Sequence, residues 1–197
     1  MPESPAAEPP DLRVRHDDAR APLPDAVQSA LVVPIASMEA LVGRWRAELD
    51  PAASWGVPAH VTVVAPFGLP DRLDDEVIDA VAAAVASIGA FDVTFDRVSW
   101  FGEEVLWVAP EPDSGFRELT GAVWRRFPQF PPYGGEHQGT VPHLTVGVRG
   151  PAGRMRAAAA AVTRSLPVRA TVDVVRLLAG SPRTGGWGPI VDLPLRR

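Results

Sequence analysis

The stretch Val57-Pro58-Ala59-His60-Val61-Thr62-Val63 returns in altered form as Val141-Pro142-His143-Leu144-Thr145-Val146, with the two histidines 83 residues apart. Each is a short apolar run entered by way of a proline and marked at alternate positions by His and Thr. That alternation has the period of a half-buried strand. His60 and Thr62 project to one side while Val61 and Val63 pack behind, and His143 and Thr145 stand likewise to Leu144 and Val146. The chain holds eight Thr among 197 residues, so a Thr two positions after a given His arises by chance in about 4% of cases. Two such pairs in matching surroundings point to an internal repeat.

The flanking sequence supports the repeat. Ala30 to Ile35 reads as a buried strand, after which Ser37 is expected to cap a helix with Met38, Leu41, Val42, Trp45 and Leu49 inward, stopped by Pro51. Pro66 ends the first His strand. Asp71 is expected to cap the next helix, which carries Asp74, Asp75 and Glu76 where the helix dipole favours anions and closes at Gly89. Phe91 to Val98 and Val105 to Val108 read as strands joined through Phe101-Gly102. In the second half Asp113 opens a helix with Phe116, Leu119, Val123 and Phe127 on one side. A Pro- and Gly-rich loop leads from Gln129 to the second His strand, and Pro151 opens an Ala-rich helix to about Arg164. Val168 to Leu178 reads as one strand and Ile190 to Leu195 as the last. Strand, helix, His strand, helix, strand, strand in each half predicts an α+β fold. Two similar lobes of antiparallel-leaning sheets flanked by helices would face a central cleft within a single domain, residues 26 to 197. Residues 1 to 25 hold six prolines and are expected to form a disordered leader.

Composition narrows the chemistry. The chain has no Cys and no Lys, so 19 Arg are its whole basic inventory. Thiol nucleophiles, thiolate metal sites, Schiff bases and lysyl-nucleotide intermediates are excluded. Four histidines, His16, His60, His137 and His143, are the groups suited to neutral-pH proton transfer. A formal charge of −5, a pI of about 5.4 and a mean hydropathy of +0.04 do not favour long-range attraction to nucleic acid or anionic membrane. No apolar run approaches a membrane span and no secretory pattern opens the chain, so a cytoplasmic protein is expected.

Equivalent strands in two lobes would bring His60, Thr62, His143 and Thr145 into one cleft. Two imidazoles and two hydroxyls suit a phosphodiester: one His takes a proton from the attacking oxygen, the other protonates the leaving oxygen, and the hydroxyls donate to the non-bridging oxygens. Which His is acid and which base is open at this level. Phe67, Trp100 and Tyr133 are candidates for contacting the substrate, with packing as the alternative for each. Trp45 and Trp124 are expected in the core, His137 in a solvated loop, and His16 without a role. Asp74 to Glu76 read as surface residues and not as a metal site.

With these motifs the chain resembles the two-histidine (2H) phosphoesterases, and among them the 2'-5' RNA ligase and cyclic phosphodiesterase proteins. Two His-x-Thr or His-x-Ser motifs in duplicated lobes mark that family. Here they are His60-Val61-Thr62, trailed by Pro66-Phe67, and His143-Leu144-Thr145, preceded by Pro142. Val105-Leu106-Trp107 is similar to the strand that lies between the motifs, and the likeness runs from about Ala26 to Leu195. Many relatives carry a basic residue five positions after the second His; here that position is Val148, and Arg149 follows. The resemblance implies metal-independent, cofactor-free hydrolysis of 2',3'-cyclic phosphates on nucleotides or short RNA ends to 2'-phosphomonoesters. For some members it also implies ATP-independent 2'-5' RNA ligation. A monomer is expected. The rival reading is a non-catalytic nucleotide or RNA-end binding protein with the same fold.

Overall fold

The computed structural model describes residues 25–135, 141–183 and 186–197. The expected leader, except Asp25, lies outside them, as do His16 and His137. The elements are β1 (Gln28–Pro34), α1 (Ala36–Leu49), α2 (Pro51–Ser54), β2 (His60–Val64), α3 (Asp75–Ala86), β3 (Phe91–Phe101) and β4 (Val105–Glu111), then α4 (Ser114–Arg126), β5 (Leu144–Val148), α5 (Ala152–Thr163), β6 (Val168–Val172), β7 (Val174–Ser181) and β8 (Gly186–Pro194). The strands form one sheet in the order β6-β3-β4-β5-β2-β1-β7-β8, and the paired strands are antiparallel.

The α+β architecture is the expected one, and its two lobes are halves of a continuous sheet that meet where β2 pairs with β5. The halves exchange parts. β3 follows β2 in the chain but lies beyond β4, whereas β7, from the second half, pairs with β1. Helices cross over as well, α1 packing on β5 and α4 on β2.

One face of the sheet lies against the helices. Its core includes Leu31, Val33, Val61, Val63, Leu144 and Val146, each at most 2% exposed. Burying a residue of this kind contributes about 1.5–3 kcal/mol, so alternation in β2 and β5 fixes which side His and Thr must take. Gly147 allows α1 and α5 to approach β5: a Cβ there would stand 2.8 Å from Met155 Sδ and 2.9 Å from Leu49 Cβ. The opposite face carries a small cluster of Ala30, Val32, Val57 and Leu178.

Several boundaries differ from the sequence reading for identifiable reasons. Ile35, and not Ser37, occupies the N-cap of α1, because its burial and its N–H bond to the Ala59 carbonyl fix the entry. Pro70–Arg72 makes a separate 3-10 turn, so Asp74 rather than Asp71 caps α3, accepting from Val77 N–H at 2.9 Å. The run from Val168 to Leu178 breaks at Asp173 into β6, paired with β3, and β7, paired with β1. Trp45 is in the core, 8% exposed, but Trp124 is 47% exposed, since α4 buries the stripe of Phe116, Leu119, Thr120 and Val123 that Trp124 falls outside.

Candidate active site

β2 and β5 bring the two motifs together at the centre of the sheet. Val61 is registered opposite Leu144. One step to either side in an antiparallel pair sets His60 opposite Thr145 and Thr62 opposite His143, all on the face away from the helices. Directly opposed side chains stand roughly 5 Å apart at Cβ and diagonal ones at most about 7–8 Å. The histidines therefore occupy one diagonal of a small quadrilateral and the threonines the other, a spacing that admits a phosphate. All four residues are half-buried, while the intervening Val61 and Leu144 are fully buried.

Both imidazoles are held in the same way. His60 Nδ1–H donates to the Pro58 carbonyl at 2.7 Å, and His143 Nδ1–H to the Val141 carbonyl at 2.8 Å. A carbonyl only accepts, so each bond fixes the proton on Nδ1 and leaves Nε2 as the nitrogen for proton exchange. Enclosure by protein lowers both pKa values. His60 is brought from 6.5 to about 4, chiefly by burial, with the Arg46 and His143 charges adding to the fall and the Pro58 bond and Asp50 opposing it. His143 is lowered by burial against the opposing effect of its bond to Val141. Two neutral imidazoles, each with Nε2 left for proton exchange, and two hydroxyls on one face form a constellation suited to moving two protons at one centre.

The substrate-contact candidates separate. Phe67 is 4% exposed, its ring edge-on to Phe127 at 5.3 Å and Phe130 at 5.0 Å, so it is a core residue. Trp100 is registered opposite Leu106 and packs against the helix-side core, on the other face from the histidines. The Tyr133 side chain lies outside what the structure describes. Two aromatics that the sequence reading did not single out stand beside the motifs instead. Trp107 is registered opposite Thr145. Phe101, 37% exposed, stacks on Trp107 at 4.7 Å, and their rings meet His143 at 5.0 and 5.9 Å. The available signal was the β3–β4 hairpin, whose register puts Ser99 opposite Trp107 and hence Phe101 on the same face.

Among the described residues, no cluster of three or more His, Asp or Glu has metal-binding geometry, and no helix is long and apolar enough to cross a membrane.

A family model described as the 2'-5' RNA ligase superfamily matches residues 33–181. Solved structures of the same fold include Escherichia coli LigT in its apo form, 17% identical, with a TM-score of 0.56 over 88% of this chain and 99% of that one. LigT complexed with 3'-AMP is 19% identical over the same shares, also with a TM-score of 0.56. The Thermus thermophilus protein TT0787 is 14% identical, with a TM-score of 0.60 over 86% of this chain and 98% of that one. No curated protein sequence matches the chain.

Proposed function

The chain belongs to the 2'-5' RNA ligase superfamily, and from the two facing His-x-Thr pairs we propose that it is a metal-independent phosphodiesterase hydrolysing 2',3'-cyclic phosphates of nucleosides or RNA ends. The observation that carries this reading is the β2–β5 register, which sets both imidazoles and both hydroxyls on one face of adjacent strands. Water attacks phosphorus and loses a proton to one Nε2, the P–O3' bond breaks, and the other histidine protonates O3'. The products are a 2'-phosphomonoester and a free 3'-hydroxyl. Thr62 and Thr145 donate to the non-bridging oxygens as charge gathers there. Replacing water by a 5'-hydroxyl makes the same step a 2'-5' ligation. Binding of 3'-AMP by LigT supports a nucleotide-sized ligand.

One imidazole must arrive neutral and the other protonated. The more strongly depressed His60 takes the neutral role, as base, and His143 carries the proton. The sign of the pH dependence follows: His60 is competent above about 4, and His143 below a pKa that lies under 6.5. The kcat/KM profile is expected to be a bell centred in the acid range and falling by pH 7–8. A flat profile, or a maximum above pH 7, refutes this assignment of roles.

Phe101, partly exposed beside His143, is the ring on which the nucleobase would stack. Base stacking contributes about 1–3 kcal/mol per ring on alanine substitution, so Phe101→Ala is expected to raise KM for a nucleoside cyclic phosphate about fivefold or more. KM for a base-free ribose cyclic phosphate should not change. Equal effects on both substrates would remove Phe101 from base recognition.

The deciding experiment is turnover of 2',3'-cyclic nucleotides, ADP-ribose cyclic phosphate and 2'-5' linked oligonucleotides with EDTA present. The expected result is a 2'-phosphate product at an undiminished rate. Loss of activity in EDTA with rescue by a divalent ion refutes the metal-independent mechanism. Binding of a 2'-phosphate without turnover of any cyclic substrate favours the non-catalytic binder.

A further inference from the structure

Arg46 is a charged residue in a place where charge is costly. It lies near the C-terminus of α1, is 1% exposed, and is among the largest fully buried side chains of the chain. An unpaired guanidinium there would be prohibitive, and it is paired: Nε donates to Asp50 Oδ2 at 3.0 Å, with Nη2 at 2.9 Å from the same oxygen. Asp50 is itself 6% exposed. A buried ion pair is weak evidence for stability, because well-packed apolar residues commonly replace one at no loss. What the pair touches explains it better.

Arg46 Nη1 donates to the Val57 carbonyl at 3.2 Å, and Glu39, 3.9 Å from the same guanidinium, accepts from Ala59 N–H at 2.6 Å. The Ala59 carbonyl in turn accepts from Ile35 N–H. The peptide groups on both sides of Pro58 are thus tied to α1, and the Pro58 carbonyl, which shares its planar peptide group with the Ala59 N–H held by Glu39, is the one that accepts His60 Nδ1–H. We propose that Arg46, braced by Asp50, is a positioning residue for His60: by fixing the Val57–Ala59 segment it sets the tautomer and the aim of the His60 imidazole. This rests on the reading of His60 as a proton-transfer group.

Electrostatics support the geometry. The charged groups that act on His60 are Arg46 and Asp50 from α1 and its C-terminal cap, and His143 from the lead-in to β5. Arg46 lowers the His60 pKa and Asp50 raises it, whereas the lowering of His143 comes from burial, opposed by its bond to Val141. Loss of the guanidinium alone therefore removes a lowering influence and leaves the carboxylate unbalanced. His60 should titrate upward while His143 serves as an internal control.

The test compares the full chain with Arg46→Met and Arg46→Met/Asp50→Leu, using NMR titration of both histidines alongside kcat/KM profiles on a 2',3'-cyclic nucleotide. The double variant buries no lone charge and keeps the test open if the single variant fails to fold. In Arg46→Met the His60 pKa is expected to rise, and the acid limb of the profile to move up with it, with no upward shift of His143. In both variants kcat is expected to fall about tenfold or more with KM little changed, the scale on which loss of groups orienting a functional histidine acts. A double variant with wild-type kcat and an unaltered His60 tautomer overturns the proposal, as does an equal shift of both histidines. Because titration is read without turnover, a selective His60 shift in a protein that hydrolyses no cyclic phosphate overturns the functional reading and leaves the positioning contact standing.

Discussion

His60→Ala and His143→Ala are each expected to lower kcat on a 2',3'-cyclic phosphate by about 10²–10⁴-fold, the range for loss of a positioned general acid or base. The two variants should resemble one another, and the double variant should be little worse than either. Acid and base act in one step, and removal of the first partner already forfeits most of what the second supplies. Both side chains are half-buried on the face opposite the core, so the folded state should survive, and circular dichroism with thermal melts checks that it does. Thr62→Val and Thr145→Val should each fall about 10²-fold, as loss of one donor to a developing oxyanion commonly does. Near-normal turnover in either histidine variant would end the two-histidine mechanism for this chain.

Phe67→Ala is the second large effect, and it falls on stability. The ring is 4% exposed and wedged edge-on between Phe127 and Phe130, so truncation opens a cavity and costs about 3–5 kcal/mol. In a domain of this size that corresponds to a fall in Tm of about 6–20 °C. At temperatures where the variant remains folded, KM should equal that of the parent. A raised KM with an unchanged Tm would return Phe67 to the substrate side and show that the ring contacts carry little packing energy.

The motifs were legible because a strand repeats every two residues. Once Val61, Val63, Leu144 and Val146 are committed to the core, the placement of His60, Thr62, His143 and Thr145 follows from chain geometry. Helix α1 was legible by its apolar period, yet Arg46 within it was not. Charge on a helix ordinarily signals solvent, and only a partner four residues on, Asp50, together with the distant Val57 carbonyl, makes its burial tolerable. Strand order was hidden for a different reason. β2 and β5 lie far apart in the chain, and nothing local in either specifies the other's register. Phe101 was missed for a local reason, since it reads as a turn residue until the hairpin register places it on the face of Trp107, where it also meets His143. A continuous Val-rich run likewise gave no sign of the break at Asp173, because β6 and β7 are both apolar enough to read as strand and differ in the strand each pairs with.

The exchange of β3 and β7 between the halves of the sheet also bears on ancestry. A chain of half this length, with a single repeat, would present one His-x-Thr pair on an unpaired strand edge, an arrangement that invites association. Two such chains around a two-fold axis would bury both edges and complete a symmetric site. The present molecule has the layout of that dimer made covalent, with the turn at Gly102–Glu104 as its joint. Joining frees each copy from matching its twin, so a buried arginine can stand behind His60 while a pair of aromatic rings stands beside His143. Two histidines in matching places of the repeat thus stand in different surroundings.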